Sequence, residues 1–230
     1  MTVTACLRVK NEARWIRRCI ESILPICDDL IVFDDHSVDD TPDIARELGA
    51  FVIQSEFESL DEVRDKNYLL DRAPIADWVL MIDGDEALAS DQARDNLRHA
   101  MLTTRASALA FPIWYLWDRE DQKRVDGVYR SMSRVSAFRP GAQRFENTTG
   151  SANFHCGNCP QGIGRREFVP APLLHFGYMN REDRIRKYRW YQEHDPANVQ
   201  EDFYRHVVIG DLFRADSCFR HGGPLELRPL

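Results

Sequence analysis

Strand-length apolar runs alternate with stretches of helical period through residues 1–90, and few folds accept that order. The runs are TVTACLRV (2–9), LIVFDD (30–35), FVIQ (51–54) and WVLMI (78–82). Between the first two, Asn11 is placed to cap a helix reaching about Leu24, with Ile16, Cys19, Ile20, Ile23 and Leu24 on one face. Between the second and third, Thr41 and Pro42 read as N-cap and first helical residue, and Gly49 as the stop. A third helix runs from Asp61 to Arg72. A strand followed by a helix of this length returns through a right-handed crossover to a parallel neighbour. The order therefore predicts an α/β fold whose mainly parallel sheet is flanked by helices.

The pattern changes after residue 90. Residues 91–102 read as helix, and ALAFPIWYLW (108–117) is aromatic and β-prone. Polar DREDQKRVDG leads on to a strand-like SRVSAFR (133–139), which implies hairpins. Residues 141–172 hold many Gly, Pro and Asn and read as long loops. APLLHFG (171–177) is a further strand, and Asn180 caps a helix over about 181–194. No composition break marks a linker. The expectation is one domain over 1–230, with a first half at 1–90 and a hairpin- and loop-rich half at 91–230 that ends in a helix region.

Two strands run into acid, in VFDDHSVDDT (32–41) and MIDGDEA (81–87). In a parallel sheet both ends lie on one rim, the rim at which ligands bind. Asp83, Asp85 and Glu86 are like charges at the end of a buried strand, an arrangement eased by a cation between them. A hard cation such as Mg²⁺ or Mn²⁺ takes one or two carboxylates together with phosphate oxygens. Neither G-x-G-x-x-G nor G-x-x-x-x-G-K-[ST] occurs, which disfavours a NAD-dependent dehydrogenase and a P-loop enzyme. A net charge of −7 and a pI of about 5.5 disfavour double-stranded nucleic acid as a partner. There is no signal-peptide pattern and no apolar run of membrane-spanning length, so the chain is expected in the cytoplasm.

Together, RVKNEARWIRRCIESI, DDHSVDDT, VRDKNYLL and WVLMIDGDEAL resemble glycosyltransferase family 2, of the GT-A fold. The family's D-D-x-S-x-D-x-T is matched from Asp34 to Thr41 and its D-x-D by Asp83-Gly84-Asp85. The resemblance implies transfer of a sugar from a nucleotide-diphosphate donor to an acceptor hydroxyl on a glycan or similar molecule. It also implies a Mn²⁺ or Mg²⁺ cofactor, inversion at the sugar, and a division into a donor-binding half (1–90) and an acceptor-side half (91–230). Asp35 would accept the nucleobase N–H, with the strand end at Val9 beside the base and Asp39 shaping the nucleoside pocket. Arg64 matches a basic position facing the nucleotide, with Lys66 and Asn67 as further candidates. Asp83 would contact ribose or the metal shell, and Asp85 would bind the metal. LLHFGYMNREDRIRKY is similar to family members that modify lipopolysaccharide cores and other bacterial glycans. His175 within it is a candidate third metal ligand.

The proton acceptor for the acceptor hydroxyl is less clearly marked. The family's usual Asp or Glu is not evident, which leaves His155 and Glu146 as candidates. The loop FHCGNCP (154–160) also admits a zinc or redox reading through Cys156 and Cys159, though no second CxxC exists. REDRIRKYRWYQEH reads as an amphipathic helix with Ile185, Tyr188 and Trp190 or Tyr191 inward. Its basic face suits an anionic acceptor or the inner face of a membrane. Two rival functions are a sugar-phosphate nucleotidyltransferase, whose glycine-rich first loop is missing, and a non-catalytic nucleotide- or glycan-binding module.

Overall fold

The computed structural model describes residues 1–147, 156–198 and 201–230. Strands β1 (Val3–Val9), β2 (Asp29–Asp34), β3 (Phe51–Gln54) and β4 (Trp78–Asp83) are all parallel, in the order β3-β2-β1-β4. Their crossovers carry α1 (Ile16–Ile23), α2 (Thr41–Glu47) and α3 (Glu62–Arg72). Alternation explains why both sheet faces are covered. Ala5, Leu7 and Val9 of β1 pack with Ile16, Ile20 and Ile23 of α1, whereas Cys6 joins Phe33, Met81 and Leu69 of α3 on the other face.

After β4 come a short strand β5 (Glu86–Leu88) and α4 (Asp91–Thr103), whose N-cap Ser90 accepts from the Ala93 N–H. Then follow β6 (Ala108–Trp117), β7 (Arg119–Arg124), β8 (Ser133–Phe138), β9 (Arg166–Phe168), β10 (Leu173–His175), α5 (Arg181–His194) and β11 (Leu227–Pro229). Strand β8 is antiparallel to both β4 and β6, and β9 is parallel to β6, so the sheet is mixed.

The chain forms two compact units, Met1–Pro112 with Ser133–Leu173, and Ile113–Met132 with Leu174–Leu230. In the second unit β7 pairs antiparallel with the end of β6 and with β11. In its helix α5 Arg184 alone is fully buried, whereas Ile185, Tyr188, Trp190 and Tyr191 of the expected inward stripe are half-buried, with Tyr188 against Phe213 and Tyr191 stacked on Tyr204. Arg184 instead donates to Asp118 and Asp211 and to the carbonyls of Tyr178 and Met179, and lies over the Trp117 ring. No helix among the described residues is long and apolar enough to cross a membrane.

Other boundaries moved for local reasons. The first helix starts at Ile16, not Asn11, because Asn11 has φ 56° and its side chain accepts from the Val38 N–H. Thr41 is inside α2, and its hydroxyl accepts from the Glu12 N–H at 2.7 Å. The loop reading of 141–172 missed β9, and the strand at 171–177 shrinks to Leu173–His175.

Candidate functional site

Strand register brings the acids together. In β1, Arg8 lies opposite Asp83 of β4, and Val9 opposite Asp34 of β2. The two acid-ended strands thus flank the end of β1, and the Val9 carbonyl accepts from the Asp35 N–H at 2.8 Å. The loop after β2 is stitched to the segment after β1. Asp39 accepts from the Ala13 N–H and from the Thr41 N–H, each at 3.1 Å, and from the Thr41 hydroxyl. Asp34 accepts from Gln54 at 2.6 Å and from the Ser37 N–H at 3.2 Å.

Asp35 is buried, and two cations hold it. Arg8 Nη2 donates to it at 2.7 Å and Lys10 Nζ lies 3.6 Å away. The Arg8 Nε donates to Asp65 at 2.9 Å, and Arg64 closes the other side of Asp65 at 2.7 and 3.0 Å. Arg64 also donates to the Ser59 carbonyl and stacks over Phe57, its guanidinium carbon 4.0 Å from the ring centre. The chain Asp35–Arg8–Asp65–Arg64 is therefore an internal array that sets the carboxyl of Asp35.

The second acid group is built on the turn after β4. Asp83 accepts from Arg134 Nη1 at 2.9 Å and from Asn158 Nδ2 at 3.2 Å. Glu86, fully buried, accepts from the Asp83 N–H at 3.2 Å and from Arg134. Its Oε1 is buried with no hydrogen-bond partner among the described residues. Burial, opposed by Arg134, pushes the Glu86 carboxyl up to about 8. Burial likewise opposes ionisation of Asp83, but Arg134 and Lys66 outweigh it and hold that carboxyl below its usual range. Gly84 is required for close packing, since a Cβ there would lie 2.9 Å from Val9 Cγ1 and 3.2 Å from Glu12 Cγ. Asp85, 4% exposed, completes the turn.

The model of glycosyl transferase family 2 matches residues 4–167. This chain belongs to glycosyl transferase family 2. An uncharacterized glycosyltransferase of Rickettsia felis is 34% identical over 152 residues, covering 65% of this chain and 52% of its own. A TPR repeat-containing protein of Synechococcus elongatus is 33% identical over 138 residues, covering 60% of this chain and 32% of its own. The chain thus spans about a third to a half of the length of these curated relatives. The crystal structure of S. aureus TarS aligns with a TM-score of 0.55 at 16% identity, over 94% of this chain and 44% of that one. The fold is GT-A, with the expected mainly parallel sheet and flanking helices.

In this family 2 chain the acid turn fits a hard divalent cation on its donor chemistry. Its donors are the carboxyl oxygens of Asp83, Asp85 and Glu86, two of these groups paired with Arg134, and one buried Glu86 oxygen has no hydrogen-bond partner among the described residues. Among the described residues, no three His, Cys, Asp or Glu side chains group so as to hold a metal by themselves. A cation here would complete its shell from ligand oxygens. His175 lies in the second unit, where its ring packs 4.6 Å from Tyr115 and 5.0 Å from Tyr178. Glu146 is exposed and follows Phe145, whose backbone pairs with the Asn67 side chain at 2.9 and 3.0 Å. His155 lies outside the described residues. Cys156 and Cys159 are free thiols, each pushed up to about 11 by burial.

Three residues that hydrogen-bond these acids are not marked by any sequence motif: Arg8, Arg134 and Asn158. Arg8 carried a signal, a charge next to the end of an apolar strand, TVTACLRV. Arg134 in SRVSAFR is similar, but Asn158 in a glycine-flanked loop offered nothing local.

Proposed function

We propose that this chain transfers a sugar from a nucleoside-diphosphate donor to an acceptor hydroxyl, with inversion and with Mn²⁺ or Mg²⁺. The observation that carries this reading is the register that sets the Asp34–Asp35 and Asp83–Asp85 ends on either side of β1. Asp35, its carboxyl oriented by Arg8, accepts the nucleobase N–H beside the Val9 backbone. Asp39 holds the loop that closes the nucleoside pocket, and Arg64 acts through Asp65 and Arg8. Asp85 and Asp83 would hold the divalent ion, which when bound supplies positive charge to the departing diphosphate. Catalysis also needs a group to take the proton of the acceptor hydroxyl, and His155 and Glu146 are the candidates. The donor side falls to residues 1–90 and the acceptor, a glycan or other hydroxyl-bearing molecule, to 91–230. The chain works in the cytoplasm, with the arginines of α5 available for peripheral contact with a membrane.

The test is a thermal-shift screen of nucleoside diphosphates with and without Mn²⁺, followed by calorimetry. One diphosphate should raise the melting temperature more with Mn²⁺ present than without it, and Asp85→Asn should abolish that extra shift while the fold survives. Unchanged Mn²⁺-dependent affinity in Asp85→Asn would remove Asp85 from the cation site.

A further inference from the structure

The Cys156–Asn158 loop touches the acid turn through the Asn158 side chain, and that side chain is held from behind. Lys66 of α3 is 4% exposed, and its ammonium has three hydrogens to donate. It donates to the Cys156 carbonyl at 2.6 Å, the Gly157 carbonyl at 3.3 Å and Asn158 Oδ1 at 3.0 Å. Glu62, one turn earlier on the helix, lies 3.8 Å from the same ammonium and accepts from the Cys156 N–H at 3.1 Å. The loop is thereby fixed to α3 at both its backbone and its side chain.

The contact with Lys66 also fixes which way the Asn158 amide points. A flipped amide would set its NH₂ against the ammonium, so Oδ1 must face Lys66. Nδ2 then faces Asp83, to which it donates at 3.2 Å, and Asn158 is only 2% exposed. Arg134 holds the other oxygen of Asp83 at 2.9 Å. Both oxygens of that carboxylate are therefore held by the protein, and its plane is set before any ligand binds. Two residues on, behind the tightly packed Gly84, stands Asp85.

We propose that Asn158, anchored by Lys66, is a positioning residue for the cation-dependent part of the donor site, acting through Asp83. This rests on the donor and cation reading above. Hydrogen-bond partners standing behind metal-site carboxylates typically change metal affinity by about 10- to 100-fold when removed. A plain loop clamp would behave differently. It would alter stability and leave the response to Mn²⁺ unchanged.

The experiment measures the affinity of UDP, GDP, ADP and CDP by calorimetry, each with and without Mn²⁺, for wild type, Asn158→Leu, Asn158→Ser and Lys66→Met. Free Mn²⁺ is followed in parallel by electron paramagnetic resonance. For the diphosphate that wild type prefers, affinity with Mn²⁺ should fall about 10- to 100-fold in the Asn158 and Lys66 variants. Affinity without Mn²⁺ should change less than about twofold. The Asn158→Leu/Lys66→Met pair should lose less than the two single losses combined, because part of the Lys66 effect runs through Asn158. Folded variants with wild-type Mn²⁺ dependence would overturn the proposal, and so would an equal loss with and without Mn²⁺. Should the leucine variant fail to fold, Asn158→Ser decides. Failure of both to fold would assign Asn158 to the fold alone and overturn the proposal. A wild type whose nucleotide binding ignores Mn²⁺ would instead sink the reading of function, and this inference with it.

Discussion

On the proposed reading Asp35 would meet the donor with one oxygen already engaged by Arg8 at 2.7 Å. Replacing it with alanine would then remove the acceptor for a base N–H, and Arg8 would keep its bond to Asp65. Leaving a buried donor unpaired costs about 1–3 kcal/mol, so donor affinity in Asp35→Ala should fall roughly ten- to a hundredfold. The loss should be the same with and without Mn²⁺, as read by calorimetry. A loss confined to the Mn²⁺ titration would move Asp35 to the cation. Gly84→Ala tests the second acid group without touching a charge. The new Cβ would lie 2.9 Å from Val9 Cγ1, so the turn must shift. Mn²⁺-dependent nucleotide affinity should drop by about tenfold or more, with little change in melting temperature. At this scale the sequence displayed the acids and hid their partners. Asp35, Asp83 and Asp85 stand in local motifs, whereas Arg134 is 51 positions from Asp83 and Asn158 is 92 from Lys66. Pairings over such spans depend on which strands become neighbours, and no local period encodes that.

Among the elements, the parallel strands were legible because burial on both faces demands unbroken apolar runs. Helix α5 was located correctly at 181–194 but misread in its packing. Its hydrophobic residues are only half-buried, and the one fully buried side chain is an arginine paired with Asp211 at 2.6 Å and Asp118 at 2.8 Å. Removing one partner of a buried ion pair costs about 3–5 kcal/mol. Arg184→Leu should therefore destabilise the second unit by that amount in urea unfolding. Ile185→Ala, half-buried on the same helix, should cost about 1 kcal/mol. Equal effects would restore the apolar-stripe reading. The α1 boundary was misread for a related reason. Asn11 does serve as a hydrogen-bonding hinge, but for the N–H of Val38 on another loop, not for its own helix.

Across the whole molecule, titration should register in stability. His206 in the second unit is buried, with Arg124, Asp126, His221 and Glu201 facing it. Burial, then the positive charge of Arg124, depresses its ring to about 3 from an ordinary 6.5. A depressed folded value means stability is complete above pH 6.5 and is lost as pH falls toward 3. The loss is about 1.4 kcal/mol per pH unit, or about 2 kcal/mol between pH 6.5 and 5. Glu86, raised to about 8, works in the opposite sense, so the two partly cancel in the native chain. His206→Gln isolates one of them. The stability gap between variant and wild type should shrink by about 2 kcal/mol on going from pH 7 to 5, measured by denaturant unfolding at each pH. A constant gap would mean the ring takes up its proton as readily folded as unfolded. The order of the two units along the chain has a further bearing, on synthesis. The first unit uses residues 1–112 and then 133–173, and β6 runs from one unit into the other. A nascent chain that has released β4 still lacks β8, the strand that covers β4's open edge, and Asn158 for its acid turn. The ribosome must therefore deliver the chain through residue 138 before the edge of β4 is covered, and through residue 173 before the first unit can close, leaving that edge exposed to chaperones in the interval.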